Sequence, residues 1–161
     1  MQIWDNETIL KNQKDGEIIG QVLTLKESME TKPNWNEISK LSPKLKAYWF
    51  LWEQLQIKDH ILFRKWEAET TKETIWQLVL PSVMREPILK ELHSSITGGH
   101  LGEHKVLAKA WQRYFGHGMK DDIQAFCKQC TVCAQKKPPH KKNKAPFGAI
   151  HFFYFSDFCD K

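Results

Sequence analysis

The chain has 161 residues and lacks any apolar run near the roughly 20 residues that a membrane-spanning helix requires. After Met1 it also lacks the basic segment and apolar core of a secretory signal peptide. Cysteine is scarce, with four residues in the whole sequence. These absences predict an intracellular protein without a membrane partner. In such a reducing compartment, thiols are better explained by metal binding than by disulfides.

Charge is unevenly distributed along the chain, whose net charge is +5. Residues 1–92 carry 13 basic and 14 acidic side chains, whereas residues 93–161 carry 11 and 5. The charged fraction of 27% is ordinary for a globular protein. The length fits one or two small domains, so the sequence predicts a small domain with a basic C-terminal part.

Two histidines and two cysteines make the strongest chemical pattern: His93, His100, Cys130 and Cys133. Imidazoles followed by a Cys-x-x-Cys pair are the ligands of a tetrahedral zinc ion. Gly98 and Gly99 let the chain double back before His100. Four protein ligands leave no open position for water or a small-molecule substrate, so the pattern predicts one structural Zn²⁺. Such an ion contributes on the order of 10 kcal/mol of folding free energy.

Spacing alone leaves other ligand sets open. Cys127 forms a second Cys-x-x-Cys with Cys130, and His104 follows His100 by four residues. Cys127 also fits a half-buried helix position, and His104 fits a position facing solvent or a phosphate. A redox role for Cys130 and Cys133 is disfavoured because the sequence shows no thioredoxin-like βαβ pattern and the histidines would be unexplained.

A lysine cluster follows the cysteines around Pro138 and Pro139: Lys136, Lys137, Lys141, Lys142 and Lys144. This composition favours an extended linker over a helix. Such a segment can lie along a phosphate backbone and give salt-sensitive, sequence-tolerant affinity. It is equally compatible with a solvated linker that has no partner, and the residues by themselves do not decide between the two.

Hydrophobic periodicity predicts a mainly α fold with a small β-hairpin. The predicted elements are a helical stretch over 5–30 interrupted at Asp15-Gly16, a helix over 43–56 opened by Ser42 and Pro43, strands over 60–66 and 75–80, and helices over 82–93, 102–115 and 120–129. In the last helix, Asp121 and Asp122 are interpreted as charges that favour the helix dipole, not as catalytic carboxylates. The predicted organisation is a helical extension (1–58), a hairpin (59–81), a zinc-stabilised, helix-turn-helix-like three-helix bundle (82–137) and a basic linker with a short tail (138–161).

The stretch ILKELHSSITGGHLGEHKVLAKAWQRYFGHGMKDDIQAFCKQCTVCAQKK, residues 88–137, resembles the N-terminal His-His-Cys-Cys zinc-binding domain of integrases from retroviruses and gypsy-type LTR retrotransposons. The matching motifs are Leu92-His93, Gly99 to Gly102, Lys105, Tyr114-Phe115, Gly118-Met119, Asp121-Asp122, Cys130-x-x-Cys133, Gln135 and Lys137. On this resemblance the zinc ligands are His93, His100, Cys130 and Cys133. The chain departs from the family at Gly116-His117, where Trp-Pro is usual. Loss of a large aromatic typically costs about 3–5 kcal/mol, so local repacking or a decayed copy is expected.

The resemblance also implies what the chain does not do. Integrases transfer DNA strands with an Asp-Asp-Glu triad that holds two metal ions in an RNase H-like core. Only a short stretch follows the lysine cluster, and its Asp157 loosely resembles the first catalytic Asp. A single carboxylate cannot hold two metal ions, so we expect no enzymatic activity from this chain, which is predicted to be truncated before the catalytic core.

The predicted function is therefore that of the zinc-binding N-terminal region of a retrotransposon integrase, part of a polyprotein. The resemblance implies that it assists multimerisation and binding of element DNA ends, with other integrase domains as partners. It also implies a location in a cytoplasmic particle and the nucleus, and it favours DNA as the partner of the lysine cluster. The alternative is a domesticated or decayed fragment that acts as a zinc-dependent protein-interaction module without DNA binding. A steep salt dependence of DNA affinity would distinguish the first function from the second.

Overall fold

The computed structural model describes residues 4–29, 31–67, 73–94 and 99–136. Its α-helices are α1 (Asn6–Asp15), α2 (Glu17–Ser28), α3 (Trp35–Ile38), α4 (Pro43–Phe50), α5 (Arg85–Ser94), α6 (Glu103–Trp111), α7 (Met119–Gln129) and α8 (Thr131–Lys136). Its strands are β1 (Leu55–Lys58), β2 (Ile61–Glu67), β3 (Thr74–Val79) and β4 (Tyr114–Phe115). Short 3₁₀ turns cover Trp52–Gln54 and Ser82–Met84.

Polar residues begin the helices of the N-terminal part. The Asp5 side chain accepts a hydrogen bond from the Thr8 amide, and the Ser42 side chain accepts one from the Leu45 amide, each at 3.3 Å. Pro43 is the first residue of α4, a position where no backbone N–H is needed. These side chains satisfy amides that would otherwise lack partners at the first turn, which is why α1 and α4 begin there.

The predicted interruption at Asp15-Gly16 is confirmed, since α1 ends at Asp15 and α2 begins at Glu17. The two helices approach each other closely at this corner. A Cβ at Gly20 would clash with the carbonyl oxygen of Lys14. Position 20, the fourth residue of α2, therefore requires glycine, which has no Cβ.

The predicted helix over 43–56 was wrong at its C-terminal end. Helix α4 ends at Phe50, and Leu55 begins strand β1, where it is fully buried and lies opposite Arg64 of β2. Asp59 and His60 connect β1 to β2 with φ values of 50° and 63°. Two residues with positive φ form the turn whose twist suits a two-residue hairpin, so the chain reverses here although neither residue is glycine.

The sheet has four strands in the order β1-β2-β3-β4. The first two pairings are antiparallel, and β4 joins β3 in parallel. The predicted hairpin is thus present as β2 and β3, with an added strand on each side. The predicted helix over 102–115 was wrong beyond Trp111, because the Leu78 and Leu80 amides donate to the Arg113 and Phe115 carbonyls, each at 2.8 Å.

Hydrophobic residues fill both faces of this sheet. One cluster packs strand residues against α5, α6 and α7: Ile61, Leu78, Leu80, Met84, Ile88, Leu89, Val106, Leu107, Ala110, Met119 and Ile123. The other packs strand residues against α2, α3 and α4: Ile19, Val22, Leu23, Ile38, Leu45, Tyr48, Leu55, Leu62 and Val79. The sheet therefore lies between α2, α3 and α4 on one face and α5, α6 and α7 on the other.

The fold class is confirmed as mainly α with a small β component. The helix predicted from Ser82 begins as a 3₁₀ turn and continues as α5, with Pro87 in its first turn. Helix α7 matches the predicted 120–129 closely, and α8 was not predicted. No helix in the described part of the chain is both long enough and apolar enough to cross a membrane.

Candidate metal centre

Four separate backbone segments bring the predicted ligands together. His93 lies near the end of α5 and is 1% exposed. His100 follows Gly99 in a turn where both residues have positive φ, 52° for Gly99 and 55° for His100. Cys130 directly follows α7, and Cys133 lies on the first turns of α8. The left-handed conformation at Gly99 and His100 accompanies a position of the His100 ring beside the His93 ring, 5.3 Å away.

One donor atom from each of these four side chains lies within 4.8 Å of all the others. The Cys133 Sγ is 3.4 Å from His93 Nε2, and the Cys130 Sγ is 3.4 Å from His100 Nδ1. A zinc ion holds sulfur at about 2.3 Å and nitrogen at about 2.0–2.1 Å, which places tetrahedral donors about 3.3–3.8 Å apart. The two Cys–His pairs at 3.4 Å have the spacing of ligands on one zinc ion, and all four donors are close enough together to hold a metal ion.

The His93 ring has a defined orientation. Its Nδ1 lies 2.8 Å from the carbonyl oxygen of Leu101. A carbonyl oxygen can only accept, so Nδ1 carries the proton and Nε2 keeps the lone pair that faces Cys133. A backbone acceptor for the second ring nitrogen is the usual outer-shell partner of a metal-binding histidine. This hydrogen bond selects the tautomer that can bind a metal.

The two alternative ligands lie elsewhere. Cys127 places its Sγ 3.6 Å from His93 Nδ1, the protonated nitrogen on the other side of the ring from Cys133. Cys127 also packs against the hydrophobic cluster of α5, α6 and α7, as a half-buried helix residue would. His104 is exposed on α6. Neither residue belongs to the group of donor atoms that the described residues bring together.

Aromatic contacts support the centre from one side. The Phe126 ring meets the His93 ring edge-on at 5.7 Å, and the His93 and His100 rings meet at 5.3 Å and 87°. Phe126 precedes Cys130 by four residues and therefore lies one helical turn before it on α7. This contact was not predicted from the sequence, although the spacing of four residues between Phe126 and Cys130 is a signal for it. The Leu101 carbonyl leaves no signal in a sequence.

The Cys130 thiol is prepared for metal binding. Its pKa is lowered to about 6, chiefly by a hydrogen bond from the Cys133 backbone amide. At neutral pH the sulfur is therefore a thiolate, the form that binds zinc. The amide of one cysteine thus stabilises the charge of the other, which is a consequence of the tight turn between α7 and α8.

Zinc retention is expected to follow this titration. Protons compete with zinc for the Cys130 sulfur, which is already a thiolate above about pH 6 in the metal-free site, so zinc should remain fully bound at pH 7 and be released only below pH 6. Zinc content after dialysis across a pH series, measured by elemental analysis, tests this expectation. Release that is already half complete above pH 7 would contradict it.

Arg85 and Tyr48 contact the chain at the Gly116-His117 departure. Gly116 is buried, and a Cβ there would lie 3.0 Å from Nη2 of Arg85. The same guanidinium pairs with Asp122 at 2.5 Å, and the His117 amide donates to the Tyr48 hydroxyl at 3.3 Å. An arginine from α5 and a tyrosine from α4 therefore contact the chain at these positions. Asp122 is consequently engaged in an ion pair.

The predicted nucleic-acid-binding lysines fall at the limit of the described chain. Lys136 is the last residue of α8, and its side chain lies outside the described part. Lys137, Lys141, Lys142 and Lys144 also lie outside the described residues, as does Asp157. Their roles therefore stay predictions.

Comparison with known proteins identifies the segment that carries the centre. The family model described as integrase zinc binding domain matches residues 80–139. The Pro-Pol polyprotein of feline foamy virus is 33% identical over 76 residues, which is 47% of this chain. The match spans 6% of that polyprotein's length. No solved structure matches the chain at a significant level.

The matched segment begins directly after β3 and contains β4 and α5 to α8, with all four donor residues. Their donor set of two imidazoles and two thiolates, with the spacing given above, fits zinc and fills its tetrahedral shell. Residues 80–139 are therefore an integrase-type zinc-binding domain, and its cofactor is zinc.

Proposed function

We propose that this chain is the zinc-stabilised DNA-binding and assembly region of a retroelement integrase. In this proposal His93, His100, Cys130 and Cys133 hold one structural zinc ion. The observation that carries the proposal is the closed group of four donors within a segment that matches the integrase zinc-binding domain. Strand transfer would belong to other parts of the parent protein, which would act in a cytoplasmic particle and in the nucleus.

The ion would act on folding and not on chemistry. Bound zinc supplies a tetrahedral cross-link between its ligands. His93 would connect α5 to the centre, and His100 would connect the turn that follows α5. The two cysteines would connect the junction of α7 and α8. With four protein donors, no position is left for a water or a substrate. The centre would therefore fix the positions of the helices whose outer surfaces meet the partner.

Helix α6 offers the described surface best suited to a phosphate backbone. Lys105 and Lys109 lie one turn apart and are exposed, and neither forms an ion pair with another described residue. Glu103, the acidic residue of this helix, lies in its first turn, where it favours the helix dipole. The lysine cluster from Lys136 to Lys144 would add a second set of phosphate contacts. Element DNA ends are the proposed ligand.

Zinc-loaded protein is expected to bind a blunt DNA duplex with a steep salt dependence. Replacing Lys105 and Lys109 together by Ala should weaken binding and reduce the slope of log K against log salt by about 0.9 for each phosphate that the variant no longer neutralises. Fluorescence anisotropy titrations at several salt concentrations provide the measurement. The matched control replaces Lys11 and Lys14, which are exposed on α1, and should leave the slope unchanged.

Protein association is the second candidate, and an exposed aromatic pair favours it. Trp35 and Phe50 are 43% and 66% exposed, and their rings lie 6.0 Å apart. Adjacent exposed aromatics are common at the centre of protein interfaces. A flat salt dependence, together with concentration-dependent sedimentation of the zinc-loaded chain, would support a protein-interaction module without DNA binding and would overturn the DNA proposal.

A further inference from the structure

A cavity of about 400 Å³ lies where the N-terminal helices meet the zinc-binding domain. Arg64 and Trp66 of β2 and Gln77 of β3 line it from one face of the sheet, the face that also carries Leu62 and Val79. Tyr48 of α4 lines it from one side. Trp111 and the segment from Gly116 to Lys120 line it from the other. Its volume falls within the range of small-molecule and cofactor pockets.

Two tryptophans give this cavity flat apolar walls. Trp66 is 37% exposed and Trp111 is 49% exposed, so a large part of each ring is open to solvent. Trp111 ends α6, and the three preceding buried residues of that helix, Val106, Leu107 and Ala110, face the core instead. Exposed indole rings beside a cavity are suited to stacking a planar ligand.

The charged side chains that line this cavity are positive. Arg64 and Lys120 line the cavity, and no carboxylate lies among the described residues that do so. Arg64 is held in place, because its Nε donates to Gln54 Oε1 at 2.8 Å and its guanidinium lies 4.5 Å from the Phe115 ring centre. Lys120 is exposed at the start of α7. A ligand that carries negative charge is therefore favoured.

Gln77 presents a hydrogen-bond acceptor that has no partner. Its side chain is 3% exposed, and its Nε2 donates to the Trp111 carbonyl. That contact fixes which end of the amide is oxygen, because a carbonyl accepts only from the nitrogen. The Oε1 atom has no hydrogen-bond partner among the described residues. A buried acceptor without a partner is costly, so a ligand with an N–H group would recover that cost.

We propose that this cavity binds an unpaired nucleobase at the end of a DNA strand. The base would stack on Trp111 and donate an N–H to Gln77 Oε1, with the adjoining phosphate at Lys120. Each of the four bases carries an N–H donor, so this site distinguishes unpaired from paired bases and not one base from another. The inference rests on the proposed function, since it adds a strand-end site to a region that binds DNA.

The test compares a blunt DNA duplex with the same duplex carrying a short single-stranded tail, by fluorescence anisotropy at one salt concentration. The tail should strengthen binding about tenfold, as expected for one base stacked on an aromatic side chain. Trp111→Ala should remove this gain and leave the affinity for the blunt duplex unchanged. Gln77→Leu, which keeps the volume of the side chain, should reduce the gain. Trp35→Ala, another half-exposed tryptophan, should retain it.

Zinc content and thermal unfolding of each variant establish that it is folded. Equal affinity for tailed and blunt duplexes in the wild-type chain would overturn the proposal. So would a gain that persists in both the Trp111 and the Gln77 variants. A tryptophan-containing acidic peptide that binds in the cavity, when tailed DNA shows no gain, would assign the site to a protein partner instead.

The two proposals fail in different ways. If a short single strand binds through Trp111 but the blunt duplex does not bind, the cavity proposal stands and the duplex-binding function is wrong. If the blunt duplex binds with a steep salt slope but the tail adds nothing, the proposed function stands and the cavity proposal is wrong.

Discussion

Cys130→Ser is expected to eliminate stoichiometric zinc and the cooperative unfolding transition of the zinc-binding domain. The variant keeps the size of the side chain but removes the thiolate that faces His100 at 3.4 Å. A structural zinc site contributes on the order of 10 kcal/mol, comparable to the whole stability of a small domain. Elemental analysis and thermal unfolding followed by circular dichroism provide the measurements.

The physical reason lies in how few other contacts hold this centre together. Helix α8 is six residues long and follows α7 directly, and isolated helices of that length are unstable in water. His100 is held with a φ of 55°, a conformation that costs free energy for a residue with a side chain. Without the ion, neither the turn at His100 nor α8 has a comparable source of stability.

Cys127→Ser is the matched control for this prediction. This variant also replaces a cysteine sulfur by oxygen, three residues before Cys130, at a sulfur that lies near the protonated nitrogen of His93. One zinc per chain should remain, with a stability loss of about 1 kcal/mol from a polar group at a half-buried site. Zinc that persists in Cys130→Ser and is lost in Cys127→Ser would show that the ligand set is different.

The donor residues could be predicted from the sequence because the signal for a metal site lies in residue types and in short spacings along the chain. Two thiols three residues apart and two imidazoles around a glycine turn suffice to suggest a common ion. The helices of the chain follow from apolar periodicity and from capping residues such as Ser42 at the start of α4. Spacing, periodicity and capping all depend on residues close together in the chain, so they can be read from the sequence.

The sheet was harder to predict because its pairings join distant segments. Leu55 continues the apolar pattern of α4, and only its partner Arg64 on β2 shows that it belongs to a strand. Phe115 likewise continues the pattern of α6 but lies beside Val79 on β3. In both places a tertiary pairing overrides the local periodicity. The turn at Asp59 and His60 also lacks the glycine that usually marks such a reversal.

Gln13 is the most consequential residue that sequence reasoning passed over. A polar residue within an amphipathic helix is normally solvent-exposed, yet Gln13 is fully buried. Its Nε2 donates to the Val79 carbonyl at 2.7 Å and to the Leu62 carbonyl at 3.1 Å. Its Oε1 accepts from the Leu62 amide at 2.8 Å. One side-chain amide therefore bridges β2 and β3 beyond their last pair, Phe63 with Leu78.

Gln13→Ala is expected to lower the free energy of unfolding by about 3 kcal/mol or more. The substitution leaves one amide and two carbonyls of the strands buried without their partner, and each such group costs about 1–3 kcal/mol unless water reaches it. Urea unfolding of the zinc-loaded chain measures the loss. Gln21→Ala, at an exposed position of α2, is the control and should change stability by less than about 0.5 kcal/mol.

Gln13→Glu separates hydrogen bonding from the filling of space at this position. A carboxylate has almost the shape of the amide and can still accept from the Leu62 amide, but it cannot donate to the two carbonyls. Burial would also penalise its charge, so its pKa should rise, and the variant should be more destabilised than Gln13→Ala at pH 7. Protonation restores one donor, so the difference in stability between Gln13→Glu and the wild-type protein at the same pH should narrow as the pH falls from 7 to 6, a range in which zinc stays bound. If Gln13→Glu is as stable as wild type at pH 7, the amide does not bridge these strands.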